Sequence, residues 1–182
     1  MRWVEKLLAR LEGGSDVLEL GCGGGSPATK RLAERHRLLG VDISARQVER
    51  ARERVPTASF RCADATELEL GPASFDAVVS LYMLGHVPRG EQALLLASIA
   101  SWLRDGGFLL VTMGTGGAED EIEEDWLGAP MFFASFDEAT NRRMLADAGF
   151  ELIEAKVIPI EEPGHGLVSF MWILARKRNL AE

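Results

Sequence analysis

The densest chemical signal lies near the start of the chain, in Val17-Leu18-Glu19-Leu20-Gly21-Cys22-Gly23-Gly24-Gly25. Glycines packed this closely let the backbone turn sharply and approach a ligand with no Cβ in the way. An apolar run precedes them, and Ser26-Pro27 opens a helix after them, so the loop sits where nucleotide-like ligands bind at the edge of a parallel sheet. A dinucleotide fingerprint needs a third glycine where Ser26 stands. A phosphate-binding P-loop needs Lys and Ser/Thr after the glycines, and they are missing. The pattern is acid-x-Gly-x-Gly-x-Gly, and its acid, Glu19, suits a ligand carrying an ammonium and a sulfonium better than one carrying a pyrophosphate.

Two further acids follow at strand ends. Asp42, in Gly40-Val41-Asp42-Ile43-Ser44, can accept hydrogen bonds from a pair of ribose hydroxyls. Asp64, in Cys62-Ala63-Asp64-Ala65, can take an adenine amino group. Each alone reads equally well as a helix cap or a surface acid. Three acids at successive strand ends are harder to explain by capping. Further along, His86 in Tyr82-Met83-Leu84-Gly85-His86 is a candidate base, because an unperturbed imidazole titrates near neutrality; a packing histidine is the plain alternative. The stretch 114–136 holds Trp126, Met131, Phe132, Phe133 and Phe136, too apolar for a free loop. It is expected to fold as a lid over a substrate pocket, with core packing as the alternative.

These residues need elements to position them. Apolar runs at Val17–Leu20, Leu38–Val41, Ala58–Cys62, Phe75–Leu81 and Phe108–Met113 alternate with amphipathic stretches, the pattern of βαβ units and a parallel sheet. Helices are expected over Ala28–His36, from Ser44 with Gln47 as a capping box, over Glu91–Arg104, and from Ser135 with Glu138 to Gly149. Leu152–Ile160 and Leu167–Ala175 are joined too closely for a parallel crossover, so they form an antiparallel hairpin, with His165 in its turn. The acidic run Glu119–Asp125 reads as a solvated linker or helix start. Cys22 and Cys62 read as small buried packing residues without metal-ligand spacing, and no metal is expected.

The chain has 182 residues, 47% of them hydrophobic and 26% charged, which fits one globular domain spanning 1–182 with 114–136 as an insertion. A net charge of -8 disfavours a nucleic-acid partner. No apolar run reaches membrane-span length and no signal-peptide core is visible, so a cytoplasmic protein, monomeric or homodimeric and without membrane contact, is expected.

The combination of Glu19–Gly25, Val41-Asp42-Ile43-Ser44, Ala63-Asp64-Ala65, Phe75-Asp76-Ala77-Val78-Val79-Ser80 and Leu103-Arg104-Asp105-Gly106-Gly107 resembles the class I S-adenosylmethionine-dependent methyltransferases, in particular the small-molecule type 11 group. The resemblance implies an α/β, Rossmann-like doubly wound fold with a mostly parallel seven-stranded sheet ending in an antiparallel hairpin. It implies S-adenosyl-L-methionine as cofactor and S-adenosyl-L-homocysteine as product. Glu19, Gly21 and Gly23 would line the methionine part, Asp42 and Ile43 the ribose and adenine, Asp64 and Ala65 the adenine edge, and Ser80 and Leu81 the wall near sulfur.

Methyl transfer to an O or N atom of a small molecule is then the expected activity, with His86 as base and Tyr82, Trp126, Met131, Phe132 and Phe133 facing the acceptor. A departure from the group is the short segment Met1–Ser15: either Arg2-Trp3-Val4 does part of the work of a longer helical cap, or the chain starts late. Two other classes stand beside this reading: a regulatory or scaffold module that binds the cofactor without turnover, and a nicotinamide oxidoreductase, which the failed fingerprint and the terminal hairpin oppose.

Overall fold

The computed structural model describes residues 1–126, 128–162 and 166–179. Five parallel strands form one side of the main sheet: β1 (Asp16–Leu20), β2 (Arg37–Asp42), β3 (Ser59–Cys62), β4 (Phe75–Ser80) and β5 (Leu103–Gly114). The hairpin of β8 (Phe150–Glu162) and β9 (Gly166–Lys177) completes it, in the order β3-β2-β1-β4-β5-β9-β8. β9 runs antiparallel to both β5 and β8. β1 lies between β2 and β4, so the chain direction across the sheet reverses there and leaves a crevice at the carboxyl ends of β1 and β4. Residues 163–165, where a turn carrying His165 is expected, lie outside the described residues.

Helices cover both faces because alternate strand residues are apolar on both sides. On one face, α1 (Arg2–Leu8) and α2 (Pro27–Ala33) bury Trp3, Val4, Leu7 and Leu32 against Val17, Val79 and Leu110. On the same side of the chain's first half, α3 (Ala45–Arg54) packs Val48 and Ala51 against Phe60 and Cys22. The other face carries α4 (Arg89–Trp102) and α5 (Glu138–Asp147), with Leu96, Ile99 and Leu145 against Leu18, Val78 and Leu109. Ser26 caps as the sequence suggests, accepting from the Thr29 amide at 3.1 Å with Pro27 in the first turn; Ser44 accepts from the Gln47 amide at 3.4 Å, but its own amide goes to Asp42 rather than to Gln47, so the expected capping box is only half formed.

Four further expectations need correction. The helix expected to start at Ser135 is capped by Asp137, whose Oδ1 accepts from the Thr140 amide at 2.8 Å. Ser135 is taken up elsewhere: its amide donates to the Ala118 carbonyl at 2.8 Å, and its Oγ accepts from the Ala118 amide at 3.0 Å. The acidic run is neither linker nor helix. Its residues Glu121–Trp126 form β6, paired antiparallel with β7 (Ala129–Phe133), because the apolar partner strand satisfies its backbone while the carboxylates stay in water. Cys62 is exposed, its Sγ 3.4 Å from the Ile43 carbonyl, whereas Cys22 is buried as expected. Trp3 and Val4 are core residues rather than a cap, Trp3 stacking on Trp172 at 5.9 Å.

Candidate cofactor and acceptor site

At the carboxyl end of β1 the loop 21–25 is shaped by glycine. Gly21 has φ +73°, and a Cβ there would lie 2.6 Å from the Cβ of Met83. Gly23 has φ +54°, and a Cβ there would meet nothing within 4 Å, so its backbone borders open space. Behind the loop, Glu19 is 3% exposed. Its Oε1 accepts from the Thr29 hydroxyl at 3.1 Å, while Oε2 is buried with no hydrogen-bond partner among the described residues. Burial pushes this carboxyl up to about 8; the nearby Asp42 charge adds to the rise and the Thr29 hydroxyl opposes it. A buried acid with an unsatisfied oxygen is costly unless something cationic or hydrogen-bonding completes it.

Asp42 ends β2 and ties the loop to the next helix. Its Oδ2 accepts from the Gly23 amide at 2.8 Å and its Oδ1 from the Ser44 amide at 2.9 Å. Each carboxylate oxygen has a further lone pair for a ligand hydroxyl. Ile43 beside it is 70% exposed. Asp64 follows β3 and caps the 3₁₀ turn Ala65–Glu67, its Oδ1 accepting from the Thr66 amide and hydroxyl, both at 2.8 Å. The capping alternative for Asp64 is therefore realised on one oxygen, and the other stays uncommitted among the described residues. Ser80, at the end of β4, is fully buried, and its Oγ has no hydrogen-bond partner among the described residues. Glu19, Gly21, Gly23, Asp42, Ile43, Asp64, Ala65, Ser80 and Leu81 thus all lie at or just beyond the carboxyl ends of four consecutive parallel strands.

The next residues leave the sheet abruptly. Tyr82 has φ +60°, a strained conformation for a bulky side chain, and its amide donates to the Thr112 hydroxyl of β5. Its ring stands edge-on to Phe170 at 4.9 Å and to Trp172 at 5.6 Å, both on β9. Leu84–His86 form a second 3₁₀ turn. His86 is exposed, with Nδ1 2.8 Å from the Phe132 carbonyl and its ring 5.1 Å from that of Phe133. Trp126 packs edge-on to Phe133 at 4.8 Å across the β6–β7 ribbon, and Met131, Phe132 and Phe133 are half-buried. The ribbon is therefore an element of its own, fastened to the turn after β4 rather than packed into the core.

Several residues in this arrangement carried no motif. Thr29 is fully buried and serves both the helix cap and Glu19; its place three residues after Ser26 was the only hint. Thr112, Phe170 and Trp172 contact Tyr82 from strands 30 or more residues away, and no local pattern announces such contacts. A cleft of about 370 Å3 lined by Arg10, Gly14, Asp76 and Arg104 opens at the opposite, amino-terminal edge of the sheet, away from all these groups.

Residues 17–107 match the methyltransferase-domain family. The chain belongs to this family. Its sheet order and hairpin are those of the class I S-adenosylmethionine-dependent methyltransferases. A solved S-adenosylmethionine-dependent methyltransferase from Methanosarcina mazei superposes with a TM-score of 0.82 at 17% identity, covering 96% of this chain and 97% of that one. The 1,6-didemethyltoxoflavin N1-methyltransferase of Burkholderia thailandensis, solved with bound 1,6-didemethyltoxoflavin and S-adenosylhomocysteine, gives 0.75 at 22% identity over 98% of this chain and 77% of that one. At these identities the likeness is one of fold. In sequence, the chain is 37% identical over 119 residues to the 27-O-demethylrifamycin SV methyltransferase of Amycolatopsis mediterranei, covering 58% of this methyltransferase domain and 43% of that relative. The chain spans less than half the length of the first curated relatives it matches. Among the described residues, no helix of the domain is long and apolar enough to cross a membrane.

Proposed function

We propose that this methyltransferase domain moves the methyl group of S-adenosylmethionine to an O or N atom of a small-molecule acceptor. The observation that carries the reading is Glu19: a buried carboxyl whose Oε2 has no partner among the described residues, set behind a glycine loop at the sheet's switch point. The ammonium of the cofactor's methionine part would complete it, with Gly21 and Gly23 giving the backbone room. Asp42 would take the ribose hydroxyls on its remaining lone pairs, and the exposed Ile43 would cover the adenine, whose edge meets Asp64 and Ala65. Ser80 and Leu81 would stand near the sulfur.

The cofactor supplies an activated methyl group, the S–C electron pair staying on sulfur as the methyl leaves. The chain's own task is to align the acceptor, exclude water and remove a proton where the acceptor carries one. Tyr82, Trp126, Met131, Phe132 and Phe133 are the apolar surface offered to the acceptor, with residues 114–136 as a lid on a single domain. His86 is the proton acceptor.

Calorimetric titration with S-adenosylhomocysteine, with NADH as control, tests the cofactor half. Binding of S-adenosylhomocysteine alone supports it; binding of NADH alone overturns it. Transfer of labelled methyl to a panel of small hydroxyl and amine compounds tests the reaction, and tight cofactor binding with no transfer to any of them would favour a non-catalytic module. His86→Ala is expected to lower turnover by about 10²–10⁴-fold, the range for losing a general base, with S-adenosylhomocysteine affinity nearly unchanged.

A further inference from the structure

The contact between His86 and the ribbon has a chemical direction. A backbone carbonyl can only accept a hydrogen bond, so the 2.8 Å contact between His86 Nδ1 and the Phe132 oxygen requires the proton to be on Nδ1. In the neutral ring, Nε2 then carries the free lone pair. The same bond persists when Nε2 gains a proton, because Nδ1 is a donor in both forms. We infer that the Phe132 carbonyl is a positioning group that makes Nε2 of His86 the proton-accepting atom, so that the β6–β7 ribbon takes part in proton removal as well as covering the acceptor. This rests on the reading of His86 as the base in methyl transfer to an acceptor bearing a proton.

The surroundings hold that carbonyl in place. Immediately after β7, the Ala134 amide donates to the Gly85 carbonyl at 2.8 Å, one residue from His86. The buried amide of Gln92 donates to the carbonyls of Val87 and Ala134, and Arg89 donates to the Ser135 carbonyl at 3.1 Å while lying over the Phe136 ring at 4.4 Å. The 3₁₀ turn that presents His86 also leads back to the cofactor loop, since the His86 amide donates to the carbonyl of Met83, the residue pressed against Gly21. Acceptor cover, base and cofactor loop therefore bear on one another through consecutive contacts. As the bond from the methyl carbon to the acceptor atom forms, the acceptor's O–H or N–H bond breaks. Its proton passes to Nε2, and the resulting imidazolium, exposed at its edge, returns the proton to solvent.

The test is ¹⁵N NMR of the ring nitrogens in the whole chain without added ligand, with His86 identified by the signals lost in His86→Asn. The expected spectrum of the neutral ring shows protonated Nδ1 and bare Nε2. A ring with the proton on Nε2 overturns the inference. Hydrogen exchange across β6–β7 gives an independent check. His86→Asn keeps a donor at the Nδ1 position and should leave ribbon exchange near that of the unaltered chain, whereas His86→Ala should speed it several-fold. Equal exchange in the two variants would show that the contact positions nothing. Titration with S-adenosylhomocysteine separates the two levels: failure to bind would sink the methyltransferase reading while leaving the tautomer result intact.

Discussion

On the β1–β3 side of the sheet, the side chains proposed to hold the cofactor are fixed by neighbours close in sequence. Thr29 lies ten residues from Glu19, and Gly23 lies 19 from Asp42. Beyond β4, the proposed acceptor side is held by partners much further away: His86 by a carbonyl 46 residues on, and Tyr82 by Thr112, 30 residues on. The first region is a strand, a loop and a helix that carry their own instructions. The second exists only once distant segments have docked. A local unit tolerates change elsewhere in the chain but little within itself, and a docked unit shows the opposite behaviour.

The largest effect should come from breaking the local unit at its buried centre. Glu19→Ala is expected to weaken S-adenosylhomocysteine binding by about 2–5 kcal/mol, the range for removing one member of a buried, hydrogen-bonded charge pair. Calorimetry would measure it, and unchanged affinity would remove Glu19 from the site. The same residue gives a pH signature. Its carboxyl ordinarily titrates near 4.5 and in the fold near 8, so the folded chain holds this proton over a range where the unfolded chain has lost it. This group's contribution to stability is complete below pH 4.5 and is lost as the pH rises through about 8. Denaturant midpoints across that window should decline less steeply in Glu19→Gln; parallel curves would show that Glu19 is not so buried. Cofactor binding should also release a proton near pH 7, seen as a binding enthalpy that varies with the buffer.

Asp42→Ala should cost roughly 1.5–3 kcal/mol of S-adenosylhomocysteine affinity, the value of hydrogen bonds to a charged group. Calorimetry on Asp42→Asn, which keeps one acceptor oxygen, should fall between; an equal affinity for all three chains would refute the ribose role. The smallest effect belongs to the docked unit. Phe133→Ala removes ring contacts to His86 and Trp126 worth about 1 kcal/mol. Exchange in β6 and β7 should quicken while S-adenosylhomocysteine affinity holds. A drop in that affinity would erase the contrast between the two regions.

The same contrast accounts for what could be read from the sequence. That Glu19, Asp42 and Asp64 stand at strand ends was legible because parallel strands place their ends in one row and each acid sits in a short strand–loop–helix segment. The parallel sheet and the terminal hairpin followed from the alternation of periods and from one connection too short for a crossover, whereas the doubly wound order came only with the family resemblance. The β6–β7 ribbon was not legible. Its first strand is a run of carboxylates with no alternation, and it is a strand only because Met131–Phe133 pairs with it. Ser135 looked like a helix cap because nothing local showed that Ala118 would claim it. Cys62 was placed inside because small sulfur side chains usually are, whereas the outer strand β3 leaves it uncovered.

That Ala118–Ser135 pairing has a consequence for how such a protein can change. It closes the neck of the segment it bounds, so what hangs from it is a cassette on a fixed mount. Doubling the length of a closed loop costs only about 0.6 kcal/mol in chain entropy. Replacing residues 119–134 with a longer or differently shaped segment would therefore burden folding little, provided it returned a carbonyl to His86. If the segment covers the acceptor as proposed, selectivity for one acceptor over another could be exchanged in a single recombination step, with the glycine loop and its acids inherited unaltered.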